Sequence, residues 1–330
     1  MIITVDEFLS SQFDYIIDVR SPREYEESHI PGSINLYVLN NDEHHYIGNL
    51  YKNVSKSEAK KEGVIYILKN ISEHLKNIDF KPGSKILVYC ARGGNRSTSL
   101  YTILSQLDYK VYKLEGGYKA YRKWVINYLE NFPHNKFVTL RGNTGCGKSE
   151  ILKYLSPSLD LEELANHYGS NFGQRGKQPT QKMFENQIAS FLNNTDPQEP
   201  IYVEAESSKI GRLFVPKRLL TKMREGLQIE ITAPLNERIE RILKYYGNIN
   251  KEDFLKNLDK LKKFISNETY NEIKEAYEAS DLKKAAELLL TKYYDKVYKK
   301  REAAISFTNT DPETTAEKIK IFAENYFKNS

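Results

Sequence analysis

The sequence predicts an α/β protein of two domains, each built on a largely parallel β-sheet. Three observations support this fold class. Short apolar runs alternate with helical stretches along most of the 330 residues, which is the pattern of parallel sheets covered by helices. A segment rich in proline and asparagine interrupts the alternation near residue 132. Each half also contains a glycine-rich loop between a predicted strand and a predicted helix.

The first half contains three apolar runs that are short enough to be strands. They are Tyr15–Arg20, Lys85–Cys90 and Lys110–Leu114. The predicted helices are Ser57–Asn77, Arg96–Gln106 and Gly117–Glu130. Because the helices lie between and after the strands, they can serve as crossovers, and parallel pairing is expected.

The domain boundary is predicted at Asn131–Asn135, where proline ends a helix and the strand Lys136–Leu140 begins directly afterwards. The predicted domains are therefore residues 1–131 and 136–330. The second domain repeats the α/β pattern, and its further strands are Ile201–Glu204, Leu227–Ile231 and Ala304–Phe307. A helical insertion rich in Lys, Glu and Tyr is predicted at about 251–301. This composition indicates solvated helices that lie beside a surface.

Composition is ordinary for a globular protein, with 40% hydrophobic and 28% charged residues. No apolar run is long enough to span a membrane, and the N-terminal residues lack the pattern of an export signal. The chain has only two cysteines, so a disulfide framework is not expected and a cytoplasmic location is predicted. The net charge of +5 fits either a polyanionic partner or a general bias toward lysine.

The first glycine-rich loop begins with a cysteine and leads into a helix. Its residues are Cys90, Ala91, Arg92, Gly93, Gly94, Asn95 and Arg96. The two glycines allow backbone N–H groups to turn inward, and the following helix adds the positive end of its dipole. Together with Arg92 and Arg96, these features are expected to lower the pKa of the Cys90 thiol. The sequence therefore predicts a nucleophile that attacks phosphorus, sulfur or selenium, or that carries a chalcogen.

Phosphatases and sulfurtransferases share this Cys-x5-Arg spacing, and Cys90 could instead be a buried core cysteine. The N-terminal context narrows the choice, because Asp18-Val19-Arg20 is followed by His29-Ile30-Pro31-Gly32-Ser33-Ile34-Asn35. This combination resembles the rhodanese signature over about residues 1–130 and implies a rhodanese-like domain. We expect Asp18 and Arg20 to brace the loop, and we assign no role as a base to His29.

The second glycine-rich loop has the spacing Gly-x4-Gly-Lys-Ser between a predicted strand and a predicted helix. Its residues are Gly142, Asn143, Thr144, Gly145, Cys146, Gly147, Lys148 and Ser149. In this context backbone N–H groups wrap a diphosphate, Lys148 adds a positive charge and Ser149 can hold Mg²⁺. The sequence therefore predicts a P-loop NTPase-like domain that binds a diphosphate.

The residues around the second loop do not indicate an ordinary nucleotide site. The next strand ends in Val203-Glu204-Ala205-Glu206, whereas magnesium-nucleotide sites usually have an aspartate there. No clear motif for reading adenine or guanine is visible, so the loop is expected to hold a different diphosphate. Cys146 occupies a variable position of the motif, where it is either reactive or, as we expect, a small filler.

Four more segments are not typical of rhodaneses or P-loop domains in general. They are Asp42–Lys52, Glu115–Arg122, Asp160–Gly173 and Tyr293–Asp295. With the two loops they form six separated motifs, whose order resembles the tRNA 2-selenouridine synthase family over essentially the whole chain. The chain departs from that pattern at Tyr168, where arginine is expected, and at Arg175, which is shifted by one position. It also has Tyr89 where a second cysteine is often found.

That family acts on 2-thiouridine at the wobble position of certain tRNAs. The resemblance implies a transferase that first alkylates the sulfur with geranyl diphosphate and then replaces the S-geranyl group with selenium from selenophosphate. It assigns the diphosphate to Gly142–Ser149 and the selenium stage to Cys90, with Arg92 and Arg96 helping to hold selenophosphate. No covalently bound cofactor and no metal-ligand set are expected, although Mg²⁺ remains open.

The predicted partners are the thiolated tRNA and, as an open question, an enzyme that produces selenophosphate; no membrane partner is expected. Four residues are candidates for tRNA contact, with a plain surface or structural role equally open. They are Lys119, Arg122, His167 and Arg175. Phosphate contacts of this kind would position the tRNA, and base specificity would come from stacking on aromatic side chains of the second domain.

Two other functions remain open from the residues alone. The chain could be a rhodanese-type sulfurtransferase or phosphatase that is regulated by a nucleotide-binding P-loop domain. It could also be a non-enzymatic tRNA-binding module, although the intact Cys90 loop argues against this. Turnover of thiosulfate or a phosphoester without tRNA would favour the first alternative.

Overall fold

The computed structural model describes residues 1–169, 172–173, 175–246, 250–298 and 302–328. The strands are β1 Ile2–Ile3, β2 Tyr15–Asp18, β3 Ile34–Asn35, β4 Lys85–Tyr89, β5 Lys110–Leu114, β6 Phe137–Arg141, β7 Ser158–Leu159, β8 Ile201–Glu204, β9 Lys209–Ile210, β10 Leu213–Phe214, β11 Leu227–Thr232 and β12 Ile305–Thr308. The helices are α1 Val5–Leu9, α2 Pro22–Glu27, α3 Asn41–Asn53, α4 Lys56–Leu75, α5 Asn95–Leu104, α6 Gly117–Asn131, α7 Lys148–Leu152, α8 Leu161–Leu164, α9 Gln181–Asn193, α10 Lys217–Glu225, α11 Leu235–Tyr246, α12 Lys251–Asp259, α13 Asn267–Glu278, α14 Leu282–Leu289, α15 Asp295–Val297 and α16 Pro312–Lys328. A π-helical turn, Leu290–Tyr294, connects α14 to α15.

The chain divides into two compact units. The first comprises Met1–Asn131 and Pro179–Asn193, and the second comprises Phe132–Gln178 and Asn194–Ser330. Helix α9 therefore groups with the first unit, although its residues lie within the range predicted for the second domain. Residues 170–171 of the predicted motif Asp160–Gly173 and residues 299–301 of the predicted helical insertion lie outside the described residues.

The sheet of the first unit confirms the predicted α/β class. Its strand order is β1-β5-β4-β2-β3, and every pair of neighbours is parallel. β4 lies at the centre, where Ile86, Leu87 and Val88 are fully buried, as expected for a strand covered on both faces. The next residue after β4 is Cys90, so the core of this unit places the cysteine at the carboxyl edge of its sheet.

The second unit has a parallel sheet of its own, with the order β12-β11-β6-β8-β7. All five residues of the central strand β6 are buried. The P-loop follows β6 directly, and Glu204 ends the neighbouring strand β8. Because parallel strands end at the same edge of a sheet, these two features meet where ligands bind in open α/β sheets.

The helical insertion has an apolar core. Phe254, Leu258, Ile273 and Leu288 are buried together, so α12, α13 and α14 pack on one another as well as presenting charged residues to solvent. This core includes Phe172, from the segment that follows α8. Among the described helices, none combines the length and the apolar character that a membrane crossing requires.

Candidate active-site loops

The Cys90 loop is a tight turn between β4 and α5 that holds the thiol inside it. Cys90 is only 3% exposed. The Ser97 hydroxyl lies 3.3 Å from Cys90 Sγ and 3.0 Å from the carbonyl oxygen of Gly94, so it can donate to either. Since Ser97 is on the first turn of α5, the helix carries this donor to the sulfur.

The pKa of the Cys90 thiol lies below its ordinary value. Burial opposes ionisation, but hydrogen bonds from the Ser97 hydroxyl and the backbone N–H of Arg92 favour the thiolate and outweigh it, with a smaller contribution from the charge of Arg96. The loop sequence predicts a shift in this direction. A lower pKa increases the fraction of thiolate, which is the nucleophilic form of cysteine.

A second backbone segment supports the loop from behind. The N–H of Tyr118 donates to the carbonyl oxygen of Cys90 at 2.8 Å, and that of Lys119 donates to Ala91 at 3.0 Å. Gly117 has φ +57°, and a Cβ there would lie 2.2 Å from the Cys90 carbonyl oxygen. Only glycine fits this position. The sequence showed Glu115–Arg122 as a motif but did not reveal that it supports the cysteine loop. The Gly-Gly pair in this motif is the signal for such a close backbone contact.

Asp18 and Arg20 brace the first unit beside this segment. The Arg20 guanidinium donates to Asp18 at 2.9 Å and to the carbonyl oxygen of Ser28 at 2.7 Å. It also lies 3.9 Å above the ring of Tyr118, which follows Gly117. Both charged groups are buried, so the pair fixes the backbone that supports the cysteine.

The two arginines of the Cys90 loop differ in environment. Arg96 Nη1 lies 2.6 Å from Glu24 Oε2. Burial alone would raise the pKa of Glu24, but the ion pair and hydrogen bond with Arg96 lower it to about 2. Arg92 is exposed. An anion that approaches the loop therefore meets the charge of Arg92 directly, whereas Arg96 shares its charge with a carboxylate.

The tRNA candidate Arg122 holds α9 against α6. Its guanidinium binds Asn186 Oδ1 and Glu185 Oε2, each at 2.6 Å. Asn186, fully buried, donates in turn to the Tyr118 hydroxyl at 2.9 Å. This network gives Arg122 a structural function, and sequence reasoning did not identify it because the partners lie about 60 residues away. Lys119 is exposed.

The P-loop adopts its turn through three glycines with positive φ. The values are +144° at Gly142, +82° at Gly145 and +88° at Gly147. Lys148 Nζ donates to the carbonyl oxygen of Gly142 at 3.1 Å, across the mouth of the loop. Burial alone would lower the pKa of Lys148, but the Cys146 thiol and nearby glutamates raise it. The ammonium group therefore stays charged, as a diphosphate site requires.

Cys146 is part of the core. Its side chain is fully buried among apolar residues that include Val138 and Ile229, and burial raises the pKa of its thiol. The side chain of Asn309 donates to its carbonyl oxygen at 2.8 Å. These contacts favour the interpretation of Cys146 as a small filler.

An arginine-carboxylate network fixes the P-loop from outside. Asn143 Nδ2 donates to Asp295 Oδ1 at 2.9 Å, and Arg238 binds the same carboxylate at 2.6 Å. Arg238 also donates to the carbonyl oxygen of Thr144 at 2.9 Å. The motif Tyr293–Asp295 thus supplies the carboxylate that joins α11 to the loop, a function that the sequence did not reveal.

A cavity of about 720 Å³ opens beside the P-loop. Its lining is mixed, with the apolar side chains of Leu220, Met223, Ile242 and Val297 among polar and charged residues. The lining also contains the carboxylates of three glutamates, two of which the sequence showed only as a departure from the aspartate usual at this strand end. They are Glu162, Glu204 and Glu206, and their oxygen atoms lie within 4.8 Å of one another.

The remaining tRNA candidates lie in the same unit as this cavity. Arg175 lines it, binds Glu163 at 2.5 Å and stands 4.6 Å above the ring of Tyr168. His167 is buried, and burial, followed by the nearby charge of Lys260, lowers the pKa of its imidazole. Arg175 therefore remains a candidate for contact with a ligand in the cavity, whereas the position of His167 is that of a structural residue.

Two family models match the chain. The model described as "tRNA 2-selenouridine synthase AAA domain" matches residues 135–323, and the model described as "Rhodanese-like domain" matches residues 4–123. A tRNA 2-selenouridine synthase from Sulfurovum sp. (strain NBC37-1) is 32% identical over 86% of this chain and 87% of its own length. The enzymes of the same name from Hydrogenovibrio crunogenus and Psychromonas ingrahamii are 30% and 32% identical. They cover 89% and 72% of this chain and 91% and 67% of their own lengths.

Replacement of Ser97 by alanine should raise the pKa of the Cys90 thiol, because the thiolate loses a hydrogen bond worth about 1 kcal/mol. Alkylation of Cys90 by iodoacetamide, followed by peptide mass spectrometry across pH, measures this. We expect the inflection to move to higher pH and the rate below it to fall about fivefold. Ser99→Ala is the matched control, since the Ser99 hydroxyl donates within its own helix. Equal pH profiles for both variants would contradict the assigned function of Ser97.

Replacement of Gly117 by alanine should destabilise the first unit by about 3 kcal/mol, because the new Cβ adds a strained φ to a collision with backbone. Chemical denaturation of the variant measures the free energy of unfolding. Gly48→Ala is the control, because Gly48 lies inside α3 with no atom within 4 Å of its Cβ position. That variant should be as stable as the parent or more so. Unchanged stability of Gly117→Ala would show that the loop is not supported in this way.

Proposed function

The chain belongs to the tRNA 2-selenouridine synthase family, and we propose that it converts 2-thiouridine at the wobble position of tRNA into 2-selenouridine in two stages. The observation that carries the proposal is the presence of two separate anion-holding loops, one with a prepared thiol and one with a P-loop beside a partly apolar cavity. A plain sulfurtransferase would need only the first loop. The two-stage reaction has a use for both.

In the first stage the thiocarbonyl sulfur attacks the allylic carbon of geranyl diphosphate. A carbon–sulfur bond forms, the carbon–oxygen bond breaks, diphosphate leaves, and the N3 proton of the base is released to solvent. The P-loop backbone from Gly142 to Ser149 holds the diphosphate, and Lys148 stabilises the charge that develops on it. The apolar side chains of Leu220, Met223, Ile242 and Val297 in the cavity lining support a prenyl diphosphate, because contact with apolar surface stabilises a terpene chain.

In the second stage selenium from selenophosphate replaces the S-geranyl group: a carbon–selenium bond forms at C2, the carbon–sulfur bond to C2 breaks, and hydrolysis of the phosphorus–selenium bond releases phosphate. The alkylated sulfur leaves as a thiol, which is a better leaving group than the original thiocarbonyl sulfur. Cys90 serves this stage, and the exposed Arg92 receives the selenophosphate anion together with the N–H groups of Gly93 and Gly94. Arg96 contributes through the charge that it shares with Glu24.

The proposed reaction takes place in the cytoplasm and uses the product of a selenophosphate-producing enzyme. Both cysteines of the chain are free thiols, which suits a reducing compartment. The tRNA is held through phosphate contacts, for which the exposed Lys119 and the cavity residue Arg175 are the best placed of the four candidates.

The two loops should give different products when each is disabled. Cys90→Ser should stop the selenium stage, so tRNA carrying S-geranyl-2-thiouridine accumulates. Lys148→Ala should slow geranyl transfer by about 100-fold or more, because the leaving diphosphate loses its cation, and 2-thiouridine remains. Nucleoside analysis of tRNA by liquid chromatography and mass spectrometry, after incubation with thiolated tRNA, geranyl diphosphate and selenophosphate, separates these outcomes.

Lys318→Ala controls for the loss of a lysine, since Lys318 is exposed on α16. Each reactant is also omitted in turn. Loss of geranyl transfer in Cys90→Ser, with tRNA still bound, would contradict the division of labour. Turnover of thiosulfate or a phosphoester by the parent without tRNA, and no change in tRNA nucleosides, would favour a regulated sulfurtransferase or phosphatase.

A further inference from the structure

Three carboxylates converge on the floor of the P-loop cavity. Glu204 ends β8, Glu206 follows two residues later, and Glu162 belongs to the first turn of α8. Each offers an oxygen atom, and these atoms lie within 4.8 Å of one another. Glu204 is 3% exposed, and the other two are half-buried. Gly169 leaves room for the carboxylates, because a Cβ at this position would lie 2.5 Å from Glu162 Oε1.

One oxygen atom of this cluster has no partner that the described residues supply. The Ser149 hydroxyl hydrogen-bonds the Glu204 carboxylate, and Glu206 hydrogen-bonds Glu162. Glu204 Oε1, however, is buried without a hydrogen-bond partner in the described part of the chain. A buried polar oxygen in this condition is costly and usually has an ion or a water as its partner. The atom belongs to the group of carboxylates and so points to a ligand held among them.

The nearby positive charge does not balance the cluster. Lys148 is the P-loop cation that interacts with all three glutamates, and its ammonium group donates to Gly142. When all three carboxylates are ionised, as ligands of a metal ion must be, one ammonium leaves two negative charges uncompensated. Burial, together with repulsion among the carboxylates, raises the pKa of Glu162 and Glu206, so these groups hold protons until a cation takes their place. A single divalent cation would remove both the excess charge and the unpartnered oxygen.

The spacing and the donor type select the class of cation. Oxygen ligands of Mg²⁺ lie about 2.1 Å from the ion, so two ligands on opposite sides are about 4.2 Å apart, and larger ions allow slightly more. The separation of up to 4.8 Å therefore requires only a small contraction around Mg²⁺. Carboxylate and hydroxyl oxygens are hard donors that suit Mg²⁺ and Mn²⁺ and suit softer metals poorly.

We propose that Glu162, Glu204 and Glu206 bind one hard divalent cation of the Mg²⁺ or Mn²⁺ class, next to Ser149 at the end of the P-loop. The site uses glutamates at the end of β8 and adds a third from α8. Its connection to the diphosphate rests on the proposed function, because the ion would lie in the cavity that receives that group. Binding of the ion to the free protein does not depend on that function.

Binding of Mn²⁺ to the full chain tests the site without any reaction. Electron paramagnetic resonance of free Mn²⁺, titrated with protein, gives the number of ions bound and their affinity. We expect one ion per chain in the parent and an affinity about 100-fold lower in Glu206→Gln, since loss of a direct ligand costs at least as much as loss of an outer-shell partner. Glu199→Gln is the control, because Glu199 is exposed just before β8 and should bind as the parent does.

Added inorganic pyrophosphate should tighten Mn²⁺ binding in the parent but not in Lys148→Ala. No bound Mn²⁺ in the parent, or parental affinity in Glu206→Gln, would overturn the site. The charge of the carboxylates would then be neutralised by protons that they share. Thermal unfolding shows whether Glu206→Gln is folded; if it is not, Glu162→Gln replaces it. Bound Mn²⁺ with no change in tRNA nucleosides would overturn the proposed function and leave the cation site intact.

Discussion

Both loops depend on the same physical constraint, which is direct contact between one backbone and another at the carboxyl edge of a sheet. Gly117 lies against the carbonyl oxygen of Cys90, Gly142 against that of Ile231 and Gly145 against that of Arg238. A Cβ at any of these positions would lie within 3 Å of backbone oxygen. Such contacts leave the loops little freedom to relax. Their N–H groups are therefore oriented before an anion binds. Donors that are oriented in advance stabilise charge most effectively.

Charge around the loops is arranged under a second constraint. Arg96 is bound to Glu24, Arg238 to Asp295 and Arg241 to Glu150. These carboxylates fix the arginines in one geometry, and they also reduce the field that an approaching anion experiences. On the proposed function, affinity for an anion therefore comes largely from backbone N–H groups, from Lys148 in one loop and from Arg92 in the other. The paired arginines thus shape the site, whereas Lys148 and Arg92 are the cations placed to contact a ligand.

Local features of the fold were predictable from sequence because they rest on local pattern. β4 and β6 are continuous apolar runs, and the glycine spacing of each loop requires positive φ at particular positions. The network around Arg122 was not predictable, because its partners in α9 are about 60 residues away and are grouped with it only by packing. Asp295 was visible as part of a motif, but its contact with Asn143 spans 152 residues.

The same reasoning explains the unusual end of β8. Residues two positions apart in an extended chain share a face, so Glu204 and Glu206 can both turn toward the P-loop. A glutamate reaches one methylene further than the aspartate usual at such a strand end. That extra length allows the pair to meet Glu162, which α8 carries from outside the sheet. In the sequence, the glutamates at the end of β8 argue against an ordinary nucleotide site. In the structure, the same glutamates allow three carboxylates to meet. The local pattern revealed only two members of the group, because the third is brought there by the tertiary fold.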